Sequence, residues 1–297
     1  MRTGQFGTNK DNLQTGWVVS QGLGSSIVFP FYYSNEDGSD TLFTISNSHP
    51  STSVKVQLFY VNSLGTVIKV NLTIPASQSR TSLASAVDLG NYGYMIAVAK
   101  NTSTGFPISF NYLSGTSAVT LTSGQTGTFS GHTVKALTMN WPPSGNLKST
   151  GARVIAPFDG VNYEFLPGPV NGLTNLVLDN IKQDSIIVIS SVSGDLSNVE
   201  GVSPLTNLSA ILVTKSNNLN LYINKSGLVF YGVASELFPA VSDLNSFIGF
   251  GKTKLILNTL TTSSLFGLVI QTSGEVDRKV DETKILPDSS YLGVPLV

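Results

Sequence analysis

The sequence predicts an all-β protein: two tandem antiparallel β-sandwiches, jelly-roll or immunoglobulin-like, flanked by polar terminal arms. Three features predict it. Apolar residues alternate with polar ones at period two, strand-length runs are cut at short intervals by Gly, Pro, Asn and Asp, and the same style returns after a Ser/Thr/Gly-rich stretch near the middle of the chain.

The alternation is clearest between Ser25 and Leu113. Val54, Val56, Leu58 and Tyr60 alternate with Lys55, Gln57 and Phe59, and Ile68, Val70, Leu72 and Ile74 alternate with Lys69, Asn71 and Thr73. Successive strand side chains point to opposite faces, so each run is expected to bury one face on a core. Asn62-Ser63-Leu64-Gly65 has the length of a hairpin connection between them. Earlier strands are expected at Ser26 to Tyr33 and Thr41 to Ser46. In the first, Ile27, Phe29 and Phe31 share a side and Pro30 marks a bulge or an edge. Later strands are expected at Arg80 to Val87, at Tyr94 to Ala99 and, from the alternation of Phe106, Ile108, Phe110 and Tyr112, at Phe106 to Leu113.

The expected divisions are an N-terminal arm at 1–16, a first sandwich at 17–125, a junction at 126–150, a second sandwich at 151–273 and a C-terminal arm at 274–297. Trp141-Pro142-Pro143-Ser144-Gly145 is the stiff, turn-forming part of the junction. In the second half, strands are expected at Asn175 to Leu178, Ser185 to Val192, Leu208 to Thr214, Leu219 to Ile223, Leu228 to Val233, Lys254 to Leu257 and Leu265 to Gln271. Arg153 to Phe158 echoes Ile27 to Phe31, each placing Pro before Phe, which suggests a distant repeat. A short helix fits only Ser235 to Phe247, where Pro239 interrupts it.

Composition narrows the class. Charged residues make up 12% of the 297 positions, about half the usual share of roughly 25%. Ser, Thr, Asn, Gln and Gly must therefore cover the surface, as suits assembly subunits and exterior β proteins better than cytosolic metabolic enzymes. A net charge of -1 argues against nucleic-acid backbone binding, which needs concentrated Lys and Arg. With no cysteine, disulfides, thiolate catalysis and Cys-ligated zinc are excluded. No apolar run reaches the ~18 residues of a membrane span. Met1-Arg2-Thr3-Gly4-Gln5 lacks the basic and apolar regions of a signal peptide, so an unexported product is expected.

The succession Phe29-Pro30-Phe31, Asp40-Thr41 with Ile45-Ser46-Asn47, Leu58-Phe59-Tyr60, Gly93-Tyr94-Met95-Ile96-Ala97 and Gly105-Phe106 resembles a β-sandwich module recurrent in surface and secreted proteins of environmental bacteria. The resemblance covers residues 25–115. It implies a sandwich fold and an exterior location, with no single function shared by the members. The chain differs from that pattern in having neither the cysteines nor the export signal often found there.

Candidate chemistry is sparse. Asn35-Glu36-Asp37-Gly38-Ser39-Asp40 offers hard oxygens around a glycine, and Glu36, Asp37 and Asp40 are the candidate ligands for calcium, the single cofactor considered. A solvated hairpin turn is the competing reading. A hydrolytic triad needs a positioned base, and the two histidines, His49 and His132, are both read as exposed turn residues. The acids, Asp88 among them, stand apart in turns rather than as a facing pair for glycoside hydrolysis. Four Asn-X-Ser/Thr matches are what chance gives in so Asn- and Thr-rich a chain. Tyr32-Tyr33, Tyr92 with Tyr94, and Tyr163 with Phe165 are candidates for a ligand groove at loop ends.

These readings converge on a non-enzymatic protein that assembles into a virion, as a bacteriophage capsid, decoration or tail component made in the host cytoplasm. The alternative is a bacterial extracellular or cell-surface adhesive module binding glycans or a protein. Self-association is expected through the arms, with Phe6, Leu13, Ile285, Leu286, Tyr291 and Leu292 as apolar assembly contacts. Other virion or surface proteins are the further partners expected.

Overall fold

Strand β1, Ser26–Tyr33, is buried on both faces along nearly its whole length, which a lone two-layer sandwich does not require of any strand. The computed structural model describes residues 22–101, 107–121, 126–137, 158, 163–164, 166, 174–181, 185–192, 205, 208–214, 218–239, 241, 244, 248, 253–259, 264–270, 281–282 and 284–285.

In the first half β1 is followed by β2 Asp40–Asn47, β3 Val54–Asn62, β4 Val67–Ile74, β5 Gln78–Leu83, β6 Tyr92–Lys100, β7 Leu113–Thr120, β8 Thr126–Ser130 and β9 His132–Val134. The second half contains β10 Thr174–Ile181, β11 Ile186–Val192, β12 Leu208–Val213, β13 Asn218–Ile223, β14 Val229–Val233, α1 Ala234–Leu237, β15 Thr253–Thr259, β16 Ser264–Ile270, β17 Asp281–Glu282 and β18 Lys284–Ile285. They form four antiparallel sheets. Sheet I is β5-β2-β7-β8, sheet II β4-β3-β6-β1-β9, sheet III β14-β11-β16-β17 and sheet IV β13-β12-β15-β10-β18. The all-β sandwich character read from the alternation is therefore present.

Three apolar layers join the sheets into one stack, I on II on III on IV. Ile27, Phe29, Phe43, Ile45, Leu58, Tyr60, Met95 and Ala97 fill the space between I and II. Val28, Phe31, Phe59, Val61, Tyr94 and Ile96 of sheet II meet Val188, Val192, Val229, Phe266 and Leu268 of sheet III. Ile187, Ile189, Leu265 and Val269 then pack on Leu208, Leu212, Leu255 and Leu257 of sheet IV. Sheets II and III are interior, so β1, β6 and β11 are buried at almost every position, whereas β12, with one buried face, alternates.

The two halves share a topology. Adding nine to every strand number of sheet II gives sheet IV, and the same operation on sheet I gives sheet III. A bulge recurs at the matching place: the β1–β6 register shifts between Phe29 and Tyr32, the β10–β15 register between Leu178 and Ile181. The expected repeat is real at the level of topology, but the counterpart of β1 is β10. The echo drawn to Arg153 to Phe158 falls, apart from Phe158, outside the described residues.

Three expectations need correction. Phe31 does not share a face with Ile27 and Phe29, because the bulge at Pro30 inserts an extra residue and turns Phe31 toward sheet III. Phe106 to Leu113 is not a strand: Ile108 N–H bonds to Ala99 O, residues 111–112 turn, and β7 begins at Leu113. Residues 126–134 of the expected junction are strands, β8 on sheet I and β9 on sheet II. The Asn62 hairpin forms as expected, with the Asn62 side-chain oxygen accepting from the N–H groups of Leu64 and Thr66 and Gly65 at positive φ. The helical turn α1 stops before Pro239.

The bulge also frees the Pro30 carbonyl, which accepts a 2.6 Å hydrogen bond from the buried Ser190 hydroxyl of β11. Phe31→Ala should cost about 3–5 kcal/mol through loss of apolar contact and a residual cavity. Ser190→Ala should cost about 1–3 kcal/mol by leaving a buried carbonyl unpaired. Both should shift one cooperative urea transition seen alike by far-ultraviolet circular dichroism and tyrosine fluorescence; separate transitions for the two halves would contradict the shared core.

Candidate functional site at the seam between the halves

Where sheets II and III meet at the surface, tyrosines from three distant segments gather. Tyr33 ends β1, Tyr92 opens β6 and Tyr231 lies in mid-β14, and all three are half-buried against the shared core. The Tyr231 ring stacks on Phe31 at 5.5 Å between centroids and on Tyr33 at 4.9 Å, with Tyr92 tilted at 5.9 Å. Burial, then Tyr33, Asp37 and Glu236, push the Tyr231 hydroxyl up to about 12, so it is a neutral donor at ordinary pH. The seam is pinned beside this cluster: Ser63 N–H bonds to Tyr92 O, and Leu228 N–H bonds to Ser63 O at 2.8 Å. Gly227 sits at φ 147°, where a Cβ would lie 2.9 Å from Ser63 O, so this close approach requires glycine.

The sequence candidates divide between site and core. Tyr33 and Tyr92 belong to the seam, but Tyr32, Tyr94 and Tyr163 are core residues with essentially no exposure. Phe165 lies outside the described residues. Tyr32 donates a 2.5 Å hydrogen bond to Asp88, which also accepts from Asn91. Burial foremost, and then the Asp88 carboxylate, raise the Tyr32 hydroxyl far above its ordinary range. Asp88 is therefore a buried acceptor organising the turn behind Ser34, whose hydroxyl donates to Asp88 O, and not an isolated surface acid.

The acidic loop closes on itself. Asp37 accepts from Ser39 N–H and from the Asn35 amide, Glu36 N–H donates to Asn35, and Asp40 accepts from Thr41 N–H, Ser85 N–H and the Ser85 hydroxyl. Glu36 and Asp37 are exposed beside the seam, while Asp40 holds the Ala84–Ser85 turn against β2. Among the described residues no group of three or more His, Cys, Asp or Glu side chains is placed to hold a metal ion. Of the expected assembly contacts, Ile285 lies in β18, paired with Leu176 of this chain's own sheet IV. Phe6, Leu13, Leu286, Tyr291 and Leu292 fall outside the described residues.

The histidines part company. His49 occupies the expected turn, with Nδ1 accepting from Ser51 and Thr52 N–H and its ring against Phe110 and Tyr112. His132 is no exposed turn residue. It lies in β9, buried and edge-on to Phe266 of the second half at 6.3 Å, and burial lowers its pKa to about 4. Nothing local to His132 marks this burial, because the covering ring is far along the chain.

Chemically, the seam offers flat aromatic faces, phenol hydroxyls and the carboxylates of Asp37 and Glu236. That set suits a polyhydroxylated or planar ligand held by stacking and hydrogen bonds. Known proteins add no assignment: no protein family matches the sequence and no curated protein resembles it. Among solved structures, the apo form of Pleurotus ostreatus lectin aligns over 93% of this chain and 87% of that one, at 11% identity and a TM-score of 0.15.

Two outcomes follow from this geometry. A histidine whose folded pKa lies below its unfolded value of 6.5 favours the folded state above that pH and loses this contribution as pH falls toward 4, on the order of 3 kcal/mol in the limit. Wild-type stability should thus fall more steeply than that of His132→Leu between pH 7 and pH 5 in urea titrations. Because the Asp37 and Asp40 carboxylates already have hydrogen-bond partners, calcium should leave the melting temperature unchanged in wild type and in the double variant Asp37→Ala, Asp40→Ala. A calcium-dependent rise that the double variant lacks would establish the metal site.

Proposed function

We propose that the protein is a non-enzymatic structural subunit that assembles into a virion, as a bacteriophage capsid, decoration or tail component. The observation carrying this reading is the continuous apolar layer between sheets II and III, which welds two sandwiches into one thick block. A block of this kind resists shear between its halves, as a shell or tail part under stress must, and a surface low in charge suits contact with neighbouring subunits. The buried titratable groups fit the same reading: Tyr32, Asp88 and His132 are spent on packing and turn geometry.

One observation favours a second reading, an extracellular or cell-surface adhesive module binding glycans. The tyrosine cluster of Tyr33, Tyr92 and Tyr231 is half-open to solvent and flanked by carboxylates. The resemblance of residues 25–115 to bacterial surface modules points the same way. Among the described residues no helix is long and apolar enough to cross a membrane, so neither reading uses a helical span.

Light scattering separates them. The virion reading expects the intact chain to form a symmetric multimer, and a variant carrying Leu286→Asp, Tyr291→Asp and Leu292→Asp to fall to a smaller species. A monomer in both cases would defeat the assembly reading and favour the adhesive one.

A further inference from the structure

The face of sheet II that meets sheet III is covered over only part of its length. Along β3 the residues on this face change from Lys55 and Gln57 to the buried Phe59 and Val61, along β6 from Lys100 to Val98 and Ile96, and along β4 from Lys69 to Val67. At the rim of the covered area three lysines converge. Lys55 and Lys100 are direct cross-strand partners, and Lys69 is the partner of Phe59. The Lys100 ammonium lies 5.2 Å and the Lys69 ammonium 6.0 Å from the centroid of the same Phe59 ring. Like charges placed directly opposite on adjacent strands destabilise a sheet, and Lys100 is held there at 9% exposure. No described carboxylate forms an ion pair with any of these three lysines. Its polar neighbours are arranged as a relay of amides: Gln57 accepts from the Lys100 ammonium and donates to Asn71 at 3.3 Å. Asn71 is exposed on the same face as Lys69, and its amide N–H groups are further donors.

We propose that Lys55, Lys69 and Lys100, with the Asn71 amide, form a binding site for a tetrahedral dianion, a phosphoryl or sulfuryl group. Three cations and an amide donor on one flat patch match a ligand with two charges and several acceptor oxygens. A bound dianion would also remove the repulsion between the directly opposed lysines, so this otherwise costly arrangement gains a use. The charged groups facing Lys100 are Lys55 from β3 and Lys69 from β4; β1 on its other side, and β11 and β14 of sheet III, carry none. Burial, then Lys69 and Lys55, lower the Lys100 pKa to about 8. A lysine with a lowered folded pKa must be protonated to bind the anion, so affinity should fall as pH rises through 8 and above.

The test is titration calorimetry of the full chain with sodium sulfate, whose charge is constant over this range, at ionic strength fixed with sodium chloride. Saturable binding is expected at pH 7, weaker by about tenfold at pH 9. Lys100→Arg should retain binding and lose the pH dependence, because the guanidinium stays charged. Lys69→Gln, an exposed change that leaves the fold intact, should weaken binding at least tenfold. Repeating the titration with inorganic phosphate at pH 8 distinguishes a site selective for one of the two groups from one that takes either. No saturable heat with either anion, or equal affinity in wild type and Lys69→Gln, would overturn the proposal.

Discussion

The structure depends on one constraint, the burial of both faces of the two interior sheets. A sheet covered on one side only needs an apolar stripe at every second residue. Sheets II and III need apolar residues at nearly every position where they overlap, and β1, β6 and β11 supply them. The bulge at Pro30 is the local device that makes this work. It switches Phe31 to the shared layer just where Tyr231 arrives and hands the freed carbonyl to Ser190.

The repeats are stacked head to tail. The five-stranded sheet of the first half packs on the four-stranded sheet of the second, so the contact is heterologous and the same operation applied again would continue the stack. The outward face of sheet I halts it at one end. Where sheet III offers Val188, Val229, Phe266 and Leu268 to the shared layer, sheet I offers Thr81, Thr116 and Thr128 to solvent, with Leu42 and Leu83 as a partly exposed pair. The two halves thus share strand order and the position of a bulge while presenting different outward surfaces.

Candidate sites were legible in proportion to how local they are. The Asn62 hairpin and the self-contained acidic loop are short-range structures, and their residues name themselves. Tyr33 and Tyr92 stood out as aromatics near strand ends, but Tyr231, which stacks on Tyr33 and lies tilted beside Tyr92, comes from a strand far along the chain and carried no mark of its own. The burial of His132 depends on Phe266 in the same way, and Asp88 looked isolated because its partner Tyr32 is a core residue of another strand. The lysine cluster did leave a trace: on the polar face of β3 the series Lys55, Gln57, Phe59, Val61 turns apolar midway, the imprint of an edge of cover.

Periodicity and turn chemistry determine, from the sequence alone, that the chain is predominantly antiparallel β, where many of its strands lie, and that the second half repeats the style of the first. These follow from local rules: side-chain direction alternates residue by residue, and Gly, Asn and Pro constrain φ where they stand. What only the tertiary structure decided is which faces meet. A Val on a strand carries the same signal whether it packs on its own sandwich or on the next, so the four-layer stack, the seam and its uncovered lysine rim emerge only when residues far apart in sequence are brought into contact.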